Sequence, residues 1–156
     1  MGRGKQKADG MVRVYSEATL DLKCEVKDAK QWIGDIKFSP DGQILAAASH
    51  NNSIYLYSIC RGDSAVTLTL RSKFSKHNSY ITHFDFSADS RFVQSNCGAY
   101  ELLFSNASNG KQITSAAELK DVKWATWTCT LGWPVQVLTL YFLGFILMVM
   151  FNDFFL

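Results

Sequence analysis

Between residues 33 and 59 apolar and polar positions alternate in short blocks separated by turn residues. In Ile33-Gly34-Asp35-Ile36-Lys37-Phe38-Ser39, Ile36 and Phe38 fall on one face, the period of two that a half-buried strand requires. Ser39-Pro40-Asp41-Gly42 then predicts a turn, because Pro presets φ while Asp and Gly accept the remaining turn geometry. Residues 44–49 form a small-residue apolar run. His50-Asn51-Asn52 predicts a second turn, and residues 53–59 a third strand with Ile54, Leu56 and Tyr57 available for burial.

The block repeats. Ile81-Thr82-His83-Phe84-Asp85-Phe86-Ser87 matches residues 33–39 at a shift of 48, with Ala88-Asp89-Ser90 in place of Pro40-Asp41-Gly42 and residues 92–97 in place of 44–49. After a one-residue deletion, Leu102-Leu103-Phe104-Ser105 aligns with Tyr55-Leu56-Tyr57-Ser58. Ala107-Ser108-Asn109-Gly110 reads as a hairpin turn and residues 111–115 as a fourth strand. A third unit starts at Asp121-Val122-Lys123-Trp124, where Val122 and Trp124 align with Phe84 and Phe86 at a shift of 38. Four short strands recurring every ~40–45 residues predict propeller blades; strand spacing alone leaves an all-β sandwich open. This reading buries Phe38, Phe86 and Trp124 at equivalent places. It makes Phe86→Ala costly, by ~3–5 kcal/mol, and Lys37→Ala nearly neutral, within ~0.5 kcal/mol.

Composition narrows the class. The chain is 47% hydrophobic and 13% aromatic, enough for a packed core. Sixteen Lys and Arg against fourteen Asp and Glu give a net charge of +2, which argues against nucleic acid as a partner. Arg3, Lys5 and Lys7 lie among glycines and read as a flexible basic leader over residues 1–11. No apolar signal-peptide core precedes Leu22, so a cytoplasmic location is expected, with Cys24, Cys60, Cys97 and Cys129 as reduced thiols. No Cys-x-x-Cys pair suggests a zinc or redox motif, and the three in or beside strand-like runs are expected to be buried. Arg61-Gly62-Asp63 reads as a turn after a strand.

No catalytic, cofactor-binding or metal-ligating set is legible, and no binding residue is singled out. His50 precedes a turn, His77 opens the second unit, and His83 lies on a strand facing opposite to Phe84. There is no Ser-His-Asp arrangement, phosphate loop or acidic cluster. Asp35, Asp85 and Asp121 recur once per unit, which implies a structural role.

Phe38-Ser39-Pro40-Asp41-Gly42 resembles the strand-and-turn element of WD repeats, and Lys76-His77-Asn78-Ser79-Tyr80-Ile81-Thr82 their His-containing start. More specific is Lys120-Asp121-Val122-Lys123-Trp124-Ala125-Thr126-Trp127-Thr128-Cys129-Thr130-Leu131-Gly132, which is similar to the last blades of the echinoderm microtubule-associated protein-like family. The match runs over about residues 12–136. It implies a partial WD40-type β-propeller of about three atypical blades. It also implies a non-enzymatic, cofactor-free scaffold that binds tubulin or microtubules, and other proteins, in the cytoplasm and on the cytoskeleton. The usual Trp-Asp ending the third strand is replaced by Tyr57-Ser58 and Phe104-Ser105, so the side-chain network of a standard blade is expected to be incomplete, with the aromatic rings filling the space.

Beyond Gln136 the composition changes. Residues 137–151 are 15 uncharged, mostly apolar residues, or 19 counted back to Trp133, against the ~20 a membrane helix needs. Two readings compete for residues 137–156: an apolar tail without selected function, or a helical anchor that would make the chain a membrane adaptor. A propeller fragment with a non-tubulin partner is the remaining alternative.

Overall fold

The computed structural model describes residues 10–62 and 65–132. Within these described residues, ten strands form three antiparallel sheets. A two-stranded sheet joins β1 (Val12–Tyr15) and β2 (Leu22–Val26). A first four-stranded sheet runs in the order β3 (Ile33–Phe38), β4 (Ile44–Ser49), β5 (Ser53–Arg61), β6 (Val66–Phe74). A second contains β7 (Ile81–Phe86), β8 (Phe92–Cys97), β9 (Leu102–Asn106) and β10 (Gln112–Ile113) in the same order. Sequential meanders of four strands, packed face to face, are propeller blades.

The pairing registers give the repeat its exact length. Phe38 pairs with Leu45 and Phe86 with Val93; Ala46 pairs with Leu56 and Gln94 with Phe104, each partner 48 positions on. Register shifts fall between Ile33 and Asp35 and, 48 positions later, between Ile81 and His83. The shift persists through the third strand, so the expected one-residue deletion is absent and Phe104 is the counterpart of Leu56. Tyr57 corresponds to Ser105. The two aromatic residues consequently face opposite ways: Tyr57 packs toward β1–β2 and Phe104 toward Trp124.

Strand β4 is buried at every position because both of its faces are covered. Leu45 and Ala47 join Val12, Ala29, Tyr55 and Tyr57 under the β1–β2 sheet. Ile44, Ala46 and Ala48 join Phe84, Phe86 and Val93 of the second blade. Alanine repeated on both faces allows the layers to approach closely, as close packing demands. A third cluster, Phe104, Leu119 and Trp124, closes the far face of the second blade.

Further sequence expectations change here. Phe86 and Trp124 are buried, at 2% and 7% exposure, but Phe38 is 58% exposed and Ile36 47%. Phe38 occupies the same register position as Phe86; it differs in cover. The first blade lies over Phe86, whereas β1–β2 contributes only two strands, whose cluster takes in Ile33 of β3 but leaves Ile36 and Phe38 open. The expected third unit is also placed differently. Trp124 makes an isolated antiparallel bridge to Ser87, Lys123 O accepts from Ala88 N, and Ala125 N donates to Phe86 O, so this segment folds back along β7 after a 3-10 turn at Ala116–Leu119. The partial third sheet is β1–β2, at the other end of the described chain.

Another correction concerns Lys37, which is drawn into a polar cluster: its Nζ lies 3.1 Å from Asp85 Oδ1 and 3.4 Å from Asp35 Oδ2 and donates to Phe84 O and Thr128 Oγ1. Its loss therefore removes charge-assisted bonds, worth ~1.5–3 kcal/mol. Asp35 and Asp85 are not equivalents either. Asp35 pairs with Ala48 and Asp85 with Gln94, which puts Lys37 at the position of Asp85 and Asp35 at that of His83.

Candidate functional site: polar centres and an aromatic blade end

The inner strands send polar side chains forward to the following unit. Asp35 Oδ2 accepts from Phe84 N at 3.3 Å. Asp85, wholly buried, accepts from Thr128 N at 2.9 Å, Cys129 N at 2.8 Å, Thr128 Oγ1 at 2.8 Å, Gln94 Nε2 at 3.3 Å and Thr126 Oγ1. Burial pushes the Asp85 carboxyl up, but the donors from Thr126, Cys129 and Thr128 together outweigh it and hold the pKa well below the usual carboxylate range. These bonds join β7 to residues 126–129, to Gln94 of β8 and to Lys37 of β3, a structural task. Asp121 lies elsewhere, in a shallow cleft of about 550 Å3 with Asp89, Arg91, Glu118 and Lys123.

A second centre surrounds His77, whose side chain is fully buried. Its Nε2 lies 2.7 Å from Ser95 Oγ, and Nδ1 points to Glu101 Oε2 at 3.4 Å, outside hydrogen-bond geometry. Glu101 accepts from Asn78 N at 3.0 Å, from Asn78 Nδ2 and from Cys97 Sγ at 3.2 Å. Hydrogen bonds from the Asn78 backbone and side chain and from Cys97 lower its pKa to about 2, while burial keeps the His77 pKa below its ordinary value. Forty-eight positions earlier the first blade carries Ala29, Ala47 and Ser53 at the places of His77, Ser95 and Glu101. The network expected to be incomplete is thus apolar in one blade and polar in the next.

The blade end that carries the starts of β3 and β7 presents exposed rings. Trp32 stacks on His50 with centroids 3.4 Å apart, and His50 stacks on Tyr80 at 4.6 Å. Trp32 and Tyr80 are repeat equivalents: His50 N donates to Trp32 O at 3.0 Å and Gly98 N to Tyr80 O at 2.9 Å. A Cβ at Gly98 would stand 2.6 Å from the Tyr80 ring, so glycine there gives that ring its seat. Trp32 and Tyr80 remain about half exposed and Tyr100 almost fully so. The sequence reading marked His50 as a turn neighbour and missed this ladder, although Trp32 and Tyr80 are both aromatic at the 48-residue spacing.

The remaining expected residues are placed as follows. His83 is half exposed and opposite the buried Phe84, as read. All four cysteines are unbridged; Cys97 and Cys129 are buried, Cys24 is half-buried, and Cys60 is exposed because β5 runs past the body of the blade. Gly62 N donates to Ala65 O, closing the loop after Arg61, while Asp63 lies outside the described residues. The apolar run 137–156 also lies outside them; among the described residues no helix is long and apolar enough to cross a membrane.

Stacked four-stranded meanders with an exposed blade end and no assembled catalytic group among the described residues define a partial β-propeller of the WD-repeat kind. Comparison supplies the family. The second β-propeller of echinoderm microtubule-associated proteins matches residues 5–139, and the chain belongs to that family. It is 48% identical over 108 residues to the 77 kDa echinoderm microtubule-associated protein of Strongylocentrotus purpuratus, covering 69% of this chain and 16% of that one. It is 41% identical over 122 residues to echinoderm microtubule-associated protein-like 1 of Homo sapiens, covering 78% and 15% respectively. The chain thus spans about a sixth of the length of these relatives. The Myceliophteria thermophila Cps50 (Swd1) β-propeller domain superposes on 68% of the chain and 34% of its own, with a TM-score of 0.60 at 19% identity, which shows the shared fold.

Proposed function

We propose that this chain is a non-enzymatic scaffold that binds microtubules or tubulin through its propeller surface and associates with the cytoskeleton in the cytoplasm. The observation that carries the proposal is its 48% identity to a protein named for microtubule association. The exposed Trp32–His50–Tyr80 ladder supports a contact at this blade end, since aromatic rings displayed on a rigid framework offer large contact area at low entropic cost. Its repeat across two blades extends the surface along one blade end, which suits a broad protein lattice better than a small ligand.

Co-sedimentation of the full chain with stabilised microtubules is the test. The chain is expected in the pellet in a saturable, polymer-dependent manner, and Trp32→Ala with Tyr80→Ala is expected to weaken binding at least about tenfold, as loss of aromatic anchors does. Recovery of the folded chain in the supernatant overturns the proposal. Binding unchanged in the double variant moves the contact to another face.

A further inference from the structure

In β1–β2, Val12 pairs with Val26, Val14 with Cys24 and Tyr15 with Leu22, and the register slips between Val14 and Tyr15. In the first blade Ile54 pairs with Phe74, Leu56 with Ser72 and Tyr57 with Leu70, and the register slips between Leu56 and Tyr57. β1 is thus the counterpart of β5, 42 positions earlier, and β2 that of β6, 48 positions earlier. The preceding turn agrees, since Gly10 and Asn52, also 42 positions apart, both have positive φ, 77° and 62°. The two-stranded sheet is the outer half of a blade.

The inner half is missing among the described residues. β5 gives its second edge to β4, whereas β1 pairs with β2 alone. The strip that inner strands would cover is open at the same place: Ile36 and Phe38 are 47% and 58% exposed, while their counterparts Phe84 and Phe86, under the first blade, are at 0% and 2%. The sequence before β1 offers no replacement. At the shift of 42, Gly2-Arg3-Gly4-Lys5-Gln6-Lys7 stands where β4 has Ile44-Leu45-Ala46-Ala47-Ala48-Ser49, without one apolar side chain.

We propose that the free edge of β1 and the Ile36–Phe38 strip form a docking slot for a β-hairpin of another protein, which completes this half-blade in trans. A free strand edge beside an apolar strip is the geometry of strand addition, in which main-chain bonds supply affinity and alternate side chains supply specificity. Two strands are wanted, because the complete sheets have four. The strand laid along β1 carries small apolar residues at alternate positions, as Ile44, Ala46 and Ala48 of β4 do where they cover Phe84 and Phe86. A second copy of the chain fits poorly. Its four-stranded sheets are two strands too wide, and its own β1–β2 has one face occupied by its first blade and the other by the Arg13–Glu25 ion pair.

Fluorescence anisotropy with a labelled synthetic peptide of residues 31–51 tests the slot, because this strand pair already seats on Phe84 and Phe86 within the chain. The full chain is expected to bind the peptide saturably, and the peptide to slow amide exchange along β1 at least about tenfold. Ala46→Lys in the peptide and Phe38→Lys in the chain are each expected to weaken binding at least about tenfold, since each places a charge in the apolar contact. Phe38 lies mostly in water, so the chain variant keeps its melting temperature and its loss of binding reports the slot rather than the fold. No saturable binding, the outcome if residues 137–156 hold the strip themselves, overturns the proposal. Equal binding by either lysine variant, or protection along β6 or β10 in place of β1, overturns it as well. Binding that falls as the concentration of the chain rises gives the strip to a second copy and also overturns it.

Discussion

Phe86 and Phe38 hold the same place in successive blades, and their fates differ only through what covers them. Phe86, at 2% exposure among Ile44, Ala46 and Val93, is expected to cost ~3–5 kcal/mol when cut to alanine. Phe38→Ala is expected to cost less than ~1 kcal/mol, since its ring is mostly in water already. Urea unfolding of the two variants checks the pair, and equal losses would refute the cover argument. Alternation made the phenylalanines legible in the sequence; the cover did not, because it depends on a neighbouring sheet. Asp85 shows the same limit. Its recurrence announced a structural role, but its partners Lys37, Thr126 and Thr128 stand more than forty positions away, and no local period relates them. Replacing it by asparagine is expected to cost ~3 kcal/mol at pH 7, because Lys37 and two backbone donors lose a charged acceptor. The folded pKa is depressed, so the wild-type contribution is complete above the unfolded value of ~3.9 and fades as pH falls through it. Glu101, held at about 2, titrates in both proteins and cancels from the comparison. The stability gap between wild type and Asp85→Asn should therefore narrow between pH 7 and pH 3; a constant gap would show that the carboxylate charge contributes nothing.

Turns are the elements that the sequence specified best. Ser39 and Ser87 each lie 2.5 Å from the aspartate two residues on, and each accepts the N–H five residues on at 2.9 Å. The central residues Gly42 and Ser90 have φ of 69° and 62°. The replacement of Pro40-Asp41-Gly42 by Ala88-Asp89-Ser90 thus preserved the turn. Only the residue at positive φ changed, from one that adopts it without strain to one that does not. The β4–β5 and β8–β9 turns show the same contrast, with Asn52 at 62° and Tyr100 at 61°. Asparagine tolerates this region and tyrosine does not, and Tyr100 is 85% exposed, so little packing offsets its strain. Tyr100→Asn is expected to raise stability by ~1 kcal/mol, visible as a higher melting temperature. A lower one would mean that the exposed ring contributes packing the structure does not show. The strands were read less evenly. β4 stood out as an apolar run and β8 through its place in the repeat, whereas β6 passed unread although Val66, Leu68, Leu70 and Phe74 alternate with the exposed Thr67, Thr69, Arg71 and Lys73. β1 and β2 were missed because they are short, four and five residues, and offer little pattern to read.

For the whole molecule, the decisive feature is asymmetry between its two sides. The far face of the second blade is closed by Leu119 and Trp124, which fold back along β7, while the outward face of the first blade shows Ile36 and Phe38 beside a two-stranded sheet. The matched part of the chain covers only about a sixth of these relatives, and a propeller closes only when each blade face meets another. Ile36 and Phe38 are therefore poised to pair with any apolar surface that reaches them, including the same face on a second copy. Their side chains already lie half in water, so replacing both by lysine removes the sticky patch at small cost to the fold. The double variant Ile36→Lys, Phe38→Lys is expected to self-associate less than the wild-type chain in light scattering, with a melting temperature within a few degrees. This outcome separates the patch from the apolar run 137–151, the other candidate source of association, because the substitutions leave that run intact. If association is unchanged, the uncharged run outweighs the open face; if it disappears, the open blade face is what drives copies together.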